Sequence, residues 1–269
     1  MLTVEGFKTA FGYWQMFLEG MTCTVSLSAF TVLFGFILAL VLALMRLADI
    51  RPFRFLDNTQ GGESREGFAG SLSRFRPLNF IASVYVEVFR ATPMMVQLFI
   101  VYYILLAGIK LPTFKLFGLI RFERFVPGVI ALSLNSAAYL SEIIRSGIQS
   151  IDGGQTEAAR SLGLSQAQNM RYIVLPQAIK NILPAIANEF VTIIKESSIC
   201  WTIGVQEIMS AVNSVKSATF TIGEALIIAA CVYFCLTFHL LLSPSLLGRR
   251  LLAFRNLRTL PSPRLLLLR

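Results

Sequence analysis

The sequence predicts an all-α integral membrane protein, and three observations support this class. Hydrophobic residues make up 55% of the 269 residues and charged residues only 14%, whereas soluble domains carry about 25% charged residues. Uncharged runs long enough to cross a bilayer separate the charges, since a membrane helix needs about 20 apolar residues. Basic residues concentrate in alternate connections, as they do in membrane proteins. The net charge of +9 is therefore attributed to topology rather than to nucleic-acid binding.

Five segments approach the length of a membrane span. The first lies within residues 20–45, which contain no charged residue. The other four cover residues 81–109, 125–146, 184–201 and 225–248, and the fourth of the five is the least apolar. Aromatic side chains within residues 1–19 predict a short interfacial helix before the first span, because aromatic rings favour the headgroup level of a bilayer.

The Lys and Arg residues predict the orientation of these spans. Sixteen fall in the segments 46–76, 145–180 and 249–269, whereas six fall in the opposite segments, four of them from Lys110 to Arg124. Since cytoplasmic segments are enriched in Lys and Arg, we expect the N-terminus outside and the C-terminus in the cytoplasm. The expected organisation is an outer segment 1–19, a transmembrane domain 20–248 with a cytoplasmic loop 46–77, and a basic cytoplasmic tail 249–269.

A second predicted cytoplasmic loop, at about residues 150–183, is patterned for helices although it is too polar to cross a membrane. Asp152 stands where a helix N-cap is expected, and strong helix formers follow it. Gly163 stands where a left-handed C-cap would end that helix. Ser165 and Gln168 form a capping box for a second helix, which Pro176 then breaks or redirects. The loop is therefore predicted to contain two helices separated by a glycine.

This loop resembles the EAA motif of ABC importer permeases. The matching residues are Glu157, Ala158, Ala159, Gly163, Leu164, Ile173, Leu175 and Pro176. The resemblance implies coupling helices that dock into a groove on a cytoplasmic ABC ATPase dimer. The two alanines would allow close approach, Glu157 would supply a polar anchor, and Gly163 would permit the turn. The alternative is an ordinary surface helical hairpin.

Further segments resemble the polar amino acid branch of that family. They are residues 19–25, 86–93, 96–98, 137–151, 188–190 and 195–198. The resemblance implies a type I transmembrane fold and a permease of the bacterial inner membrane that carries histidine, arginine, glutamate, glutamine, an opine or a similar solute. It also implies a second permease subunit, identical or paralogous, a periplasmic solute-binding protein and surrounding membrane lipids. Trp201, where the family commonly has a smaller residue, could reshape the solute path.

The sequence contains no motif for chemistry of its own. It has no P-loop and no Gly-Lys dipeptide, so the chain is not expected to hold ATP phosphates. ATP and magnesium are expected on the partner ATPase, with no catalytic residue, cofactor or metal on this chain and no nucleic acid as a partner. The second hypothesis is an ion-gradient-driven secondary transporter, which would require inverted repeats. A membrane enzyme is the third.

Polar residues within the predicted spans are candidates for the solute path, since ionisable groups in a membrane usually face protein or water. The candidates are Arg90, Thr92, Gln97, Asn135, Tyr139, Glu142, Glu189, Lys195 and Glu196. Arg90 could instead pair with Glu87, which lies on the same helix face. The stripe over residues 135–142 could line a cavity or a dimer interface, or hydrogen-bond a neighbouring helix. The charged residues of the fourth span could be gating pairs or solute contacts.

Overall fold

The computed structural model describes residues 2–48, 50–51 and 74–258, with the backbone alone over residues 241–258. Most of this part is helical, which confirms the predicted all-α class. The α-helices are α1 (Val4–Phe11), α2 (Trp14–Leu47), α3 (Pro77–Ala91), α4 (Met94–Ile100), α5 (Phe122–Gln149), α6 (Gly153–Ser161), α7 (Gln166–Asn169), α8 (Leu175–Glu196), α9 (Ile208–Thr219) and α10 (Ile222–Arg258). The other elements are π-helices Val101–Leu105 and Met170–Val174, a 3-10 helix Ser197–Ile203, and strands β1 (Lys115–Leu116) and β2 (Ile120–Arg121). Most of the predicted loop 46–77 and the end of the predicted tail lie outside the described residues.

The N-terminal region forms two consecutive helices. Thr3 caps α1, because its hydroxyl accepts a hydrogen bond of 3.0 Å from the amide of Gly6. The chain turns at Gly12 and Tyr13 and continues as α2 for 34 residues. The predicted short N-terminal helix is therefore present, while the first long helix begins at Trp14 rather than at residue 20. At about 1.5 Å per residue, α2 is long enough to cross a membrane and extend beyond it.

The second predicted span consists of two helices rather than one. α3 ends at Ala91 and α4 begins at Met94, and their axes differ by 110°. Pro93 lacks a backbone N–H and keeps the preceding residue out of the helical conformation. Thr92 accordingly has a ψ of 142°. The pair is a broken span or a re-entrant segment, and the apolar run in the sequence does not predict its bend.

Helix α5 lies at the centre of the bundle. Of its 18-residue apolar window, 72% is buried, and it packs against α2, α3, α4 and α8. Around its N-terminal half the buried side chains include Cys23, Leu27, Leu98, Phe125, Val129, Leu132, Cys200 and Ile203. Around its C-terminal half they include Ala39, Leu42, Ala43, Ala82, Ala137, Leu140, Ala178 and Ile182. Small residues are frequent in the second group, since they let membrane helices approach closely.

The C-terminal half differs from the prediction in its boundaries. α8 starts at Leu175 rather than at residue 184, so that Pro184 lies inside the helix. The 3-10 helix then follows α8, where the prediction continued the span to residue 201. α9 is an additional helix that the sequence analysis did not predict. α10 continues past the predicted end of the fifth span to Arg258.

The number of membrane spans remains a prediction. In the described part of the chain, three helices are long and apolar enough to cross a membrane, and the bent pair α3–α4 would be a fourth. The three are α2, α5 and α10 up to Leu240. α8 is more polar than these, because it contains Lys180, Glu189, Lys195 and Glu196.

Candidate functional site

The loop between α5 and α8 contains the two predicted helices. Asp152 caps α6, and its carboxylate accepts a hydrogen bond of 2.9 Å from the amide of Gly154. Ser165 and Gln168 form the predicted capping box of α7. The amide of Ser165 donates to Oε1 of Gln168 at 2.8 Å, and the amide of Gln168 donates to Oγ of Ser165 at 3.3 Å. Both predicted helix starts are confirmed.

Gly163 ends α6 in a left-handed conformation, with a φ of 81°. Its amide donates to the carbonyl of Arg160 at 3.0 Å, and the amide of Leu164 donates to the carbonyl of Ala159 at 3.1 Å. These bonds satisfy carbonyls that the end of the helix leaves free. Apart from its neighbours along the chain, no atom of the described residues lies within 4 Å of the position that a Cβ of residue 163 would take. The backbone conformation, rather than packing, therefore accounts for the glycine.

The surface of α6 combines a carboxylate with small and apolar side chains. Glu157 and Ala158 are exposed, whereas Ala159 is buried against the rest of the loop. Leu162 is 81% exposed and Tyr172 is 65% exposed. The two alanines were predicted as site residues and Leu162 was not, although its position beside Gly163 placed it at the end of the same helix.

Two side-chain hydrogen bonds fasten this loop to α8. Nε2 of Gln177 donates to Oε1 of Gln155 at 2.6 Å. Nδ2 of Asn181 donates to the hydroxyl of Ser150 at 3.0 Å. The loop is thus connected to the first two turns of α8.

The remaining motif residues lie at the junction between the loop and α8. Leu164 and Ile173 are half-buried, and Leu175 and Pro176 are exposed. Residues 166–196 form one uninterrupted helical run, in which the π-helix Met170–Val174 directly precedes α8. Pro176 lies two residues after this π-helix, a kind of irregularity that accompanies disturbed helical hydrogen bonding. The predicted break at Pro176 is therefore wrong, since the helix continues through it.

Thr92, Gln97 and Asn135 form one hydrogen-bonded group at the break between α3 and α4. Nε2 of Gln97 donates to the Thr92 hydroxyl at 2.7 Å and to the carbonyl of Phe89 at 2.8 Å. Nδ2 of Asn135 donates to Oε1 of Gln97 at 2.9 Å. Gln97 and Asn135 are both buried. These three path candidates therefore satisfy backbone and side-chain groups at the bend.

Arg90 and Tyr139 meet across α3 and α5. The guanidinium carbon of Arg90 lies 5.6 Å from the centroid of the Tyr139 ring, within the range of a cation–π contact. Both side chains are exposed. No carboxylate of the described residues lies within 4.0 Å of the Arg90 guanidinium. The ion pair considered for Glu87 and Arg90 is therefore not formed.

The charged residues of α8 are also without ion pairs in the part of the chain that the structure describes. The Ser136 hydroxyl donates to Oε1 of the half-buried Glu189 at 3.2 Å. Lys195 is exposed, and Glu196 is half-buried. Glu196 lines a cavity of about 320 Å³ together with Met94, Ser198, Ile199, Trp201 and Met209. The gating pairs considered for these residues are not present among the described side chains.

Glu142, near the C-terminal end of α5, is bound by two arginines. Nη1 of Arg46, in the last turn of α2, lies 2.6 Å from Oε2 of Glu142. Arg145 pairs with the other carboxylate oxygen of Glu142, and its Nη1 donates to Oε1 of Gln149 at 2.5 Å. The stripe predicted on α5 thus divides among four local arrangements. Arg46 was not predicted as a partner, since it is 96 residues away from Glu142 along the chain.

Glu207 is a buried polar residue that the sequence analysis also missed. Its carboxylate accepts hydrogen bonds of 2.9 Å from the amides of Met209 and Ser210 and from the hydroxyl of Tyr233. The residue caps α9 and connects it to α10. Glu is not among the preferred N-cap residues, so the sequence offered little signal for this role.

Comparison with known proteins identifies the family of this chain. Residues 67–252 match the family described as "Binding-protein-dependent transport system inner membrane component". The chain belongs to this family. It is the non-catalytic membrane subunit of an ABC importer, and a separate subunit hydrolyses ATP. The predicted permease function and the EAA motif as a family feature are confirmed, and the gradient-driven alternative is set aside.

Similar proteins come from several bacteria. The chain is 40% identical over 219 residues to the arginine transport system permease protein ArtQ of Bacillus subtilis, which covers 81% of this chain and 84% of the relative. It is 36% identical over 223 residues to the nopaline transport system permease protein NocM of Agrobacterium fabrum, covering 82% and 81%. A putative glutamine transport system permease protein of Rickettsia bellii is 35% identical over 220 residues, covering 81% and 84%.

Solved structures share the fold. The crystal structure of an amino acid ABC transporter with histidines matches with a TM-score of 0.75 and 36% identity, covering 93% of this chain and all of that chain. The inward-facing methionine transporter MetNI matches with a TM-score of 0.62 and 15% identity, covering 88% and 96%. The second likeness concerns the fold alone. Together these matches confirm the predicted type I permease fold.

Proposed function

We propose that this permease carries a polar amino acid across the bacterial inner membrane, past a surface formed by Arg90, Tyr139, Glu189 and Glu196. Arg90 carries the proposal, because its exposed guanidinium has no carboxylate partner among the described residues. A guanidinium binds carboxylates strongly through charge-assisted hydrogen bonds, and every amino acid contains a carboxylate. The relatives named as arginine, nopaline and glutamine permeases support the same class of solute.

The acidic residues of α8 suit the other end of such a solute. Glu196 lines the cavity of about 320 Å³, a volume at the lower end of the range for small-molecule sites. Met94 lines the same cavity and lies four residues after Arg90, across the break between α3 and α4. A zwitterion could therefore pass from a cationic to an anionic part of the path. Trp201 in the cavity wall would restrict the size of the solute's side chain.

The partners follow from the same proposal. The loop of α6 and α7 would dock on a cytoplasmic ABC ATPase dimer, which would hold ATP and magnesium. A second permease subunit, identical or paralogous, would complete the pore, and a periplasmic solute-binding protein would deliver the amino acid. In this arrangement the N-terminus is periplasmic and the C-terminus is cytoplasmic. The Lys and Arg distribution supports this orientation.

Uptake by the reconstituted complex tests the proposal. The permease pair, the ATPase and the binding protein of the same transport system are placed in proteoliposomes, and uptake of labelled arginine, histidine, glutamine, glutamate and leucine is measured. We expect saturable, ATP-dependent uptake of a polar amino acid and little uptake of leucine. The Arg90→Ala variant should lower uptake about 10-fold to 100-fold, since a charge-assisted hydrogen bond contributes about 1.5–3 kcal/mol.

The matched control is Glu87→Gln, which removes an exposed charge from the same helix. Its uptake should stay within about twofold of the wild type, because isolated surface charges contribute little. Normal uptake by Arg90→Ala would overturn the assigned path. The absence of ATP-dependent uptake for every amino acid would overturn the proposed solute class.

A further inference from the structure

The connection between α4 and α5 carries a small, basic hairpin, defined here as residues 110–121. β1 and β2 pair in antiparallel fashion, with Leu116 opposite Ile120 and Lys115 opposite Arg121. The amide of Leu119 closes the turn by donating to the carbonyl of Leu116 at 3.0 Å. Ile120 is buried, so the hairpin is anchored to the bundle on one side and exposed on the other.

The exposed side of the basic hairpin carries cations without counter-charges. Lys110, Lys115 and Arg121 are exposed, and none of them has a carboxylate within 4.0 Å among the described residues. Lys115 and Arg121 are also direct cross-strand partners. Like charges in such a pair destabilise a two-stranded ladder. A carboxylate placed between the two cations would remove that repulsion.

The tip of the basic hairpin is strained and apolar. Phe117 has a φ of 51°, in the left-handed region that bulky residues rarely adopt. Its side chain is 74% exposed, so little packing among the described residues holds it there. Turns of this kind favour Asn or Gly at such a position. Backbone strain at an exposed aromatic residue is typical of a binding surface.

The basic hairpin lies at the end of α5 opposite to the predicted coupling loop, the name used here for residues 150–183, which contain α6 and α7. The 28 residues of α5 separate the two by about 42 Å. Arg124, in the first turn of α5, donates to the hydroxyl of Tyr102 and to the carbonyl of Ile203, the latter at 3.3 Å. Ile203 ends the 3-10 helix that contains Trp201, a residue of the cavity wall. The hairpin is therefore joined through Arg124 to the segment that borders the solute path.

We propose that the basic hairpin is the docking surface for an acidic face of the soluble solute-binding protein. A carboxylate of that protein would bridge Lys115 and Arg121, and an apolar recess would receive Phe117. This inference rests on the proposed function, which supplies the binding protein and the outer location. Arg124 connects the hairpin to the segment that borders the solute path. This connection favours a solute-delivering protein, rather than lipid headgroups, as the partner of the hairpin. The basic charge also occurs on the side where membrane proteins usually carry few cations.

The test uses the assembled importer in nanodiscs with the solute-binding protein of its own transport system. ATPase rate is measured against binding-protein concentration for the wild type, for the double variant K115E/R121E and for Phe117→Ala. For the double variant we expect the half-saturating concentration to rise about tenfold, because charge reversal at an interface slows association. The difference from the wild type should narrow as ionic strength increases. Phe117→Ala should raise the half-saturating concentration at every ionic strength.

Lys216→Glu is the matched control, since Lys216 is an exposed cation on α9 without an ion pair among the described residues. Its half-saturating concentration should match the wild type. If K115E/R121E does not assemble, the milder K115Q/R121Q should still raise this concentration about threefold. The measurements are repeated in nanodiscs of phosphatidylcholine with and without phosphatidylglycerol.

Two results would overturn the assignment of the basic hairpin. One is an unchanged half-saturating concentration in both double variants. The other is an effect that depends on phosphatidylglycerol and not on binding protein, which would identify a lipid site. If no binding protein stimulates the wild type, the proposed function itself fails. Only the assignment of the hairpin fails if binding protein stimulates the wild type and the variants have the same half-saturating concentration.

Discussion

A carboxylate inside a membrane helix is stable only where cations, donors or water compensate its charge, and Glu142 has two arginines. Arg46 approaches it from α2, and Arg145 approaches it from the next turn of α5. The side chain of Glu142 is 25% exposed and that of Arg46 is 14% exposed. Removing one partner of a partly buried ion pair is costly, because it leaves the other charge uncompensated. The cluster therefore joins α2 to α5 beside the coupling loop.

Replacing Glu142 with Gln should destabilise the permease. Both arginines would lose their counter-charge, and we expect a loss of about 1–3 kcal/mol in the free energy of unfolding. Thermal unfolding of the detergent-solubilised complex measures this change. The Glu87→Gln variant, which alters an exposed residue without an ion pair among the described side chains, should unfold like the wild type. Equal unfolding temperatures for the two variants would contradict the structural importance of the cluster.

Gln97 and Asn135 show why residue roles were only partly predictable. Their polarity within predicted spans placed both of them among the path candidates, and both lie close to the break between α3 and α4. Their hydrogen bond joins residues 38 positions apart, and no local pattern reports such a contact. Helical periodicity places polar residues on a face, but it does not say which of them are already satisfied by their neighbours.

At the scale of elements, the coupling loop was the most predictable part. Caps and turns depend on neighbouring residues alone, so Asp152, Gly163 and the Ser165–Gln168 pair could be assigned from their spacing. The bend of 110° between α3 and α4 was not predicted. Its angle depends on how the two helices pack against α5, and Pro93 marks only where a bend can occur.

Gly163→Ala should weaken the coupling between ATPase and permease. A left-handed alanine costs about 1 kcal/mol, which would displace α6 from its docking position and reduce ATPase binding about fivefold. Binding of the ATPase to permease in nanodiscs measures this effect. Gly153→Ala is the control, because Gly153 starts the same helix with ordinary φ and no atom near its Cβ position. Normal binding by Gly163→Ala would argue against α6 as the docking element.

The contact between α5 and α8 should be sensitive to a single methyl group. A Cβ on Gly147 would lie 2.3 Å from Cγ1 of Ile182, so Gly147→Ala should destabilise the complex by about 1–3 kcal/mol. Adding Ile182→Ala removes the clashing atom and should restore part of that loss, which a double-mutant cycle of unfolding temperatures can measure. Strictly additive effects would show that the two helices do not approach here.

At the scale of the whole molecule, the orientation of the chain is open to a direct test. Leu2 and Leu162 are exposed at 54% and 81%, and the proposed topology places them on opposite sides of the membrane. In a background without native cysteines, a membrane-impermeant maleimide applied to intact spheroplasts should label Leu2→Cys and leave Leu162→Cys unlabelled. Labelling of Leu162→Cys before lysis would reverse the proposed orientation.

The membrane class, the permease family and the helices of the coupling loop can be read from the amino-acid sequence alone. These depend on composition and on residues that are close together along the chain, and such patterns can be read without knowing the fold. Only the tertiary structure decided which polar residues are already paired, because Arg46 with Glu142, Asn135 with Gln97, and Ser136 with Glu189 join distant segments. The same packing left Arg90 exposed without a carboxylate partner among the described residues. Whether a charged side chain is paired depends on its neighbours in space, and the fold determines which residues these are.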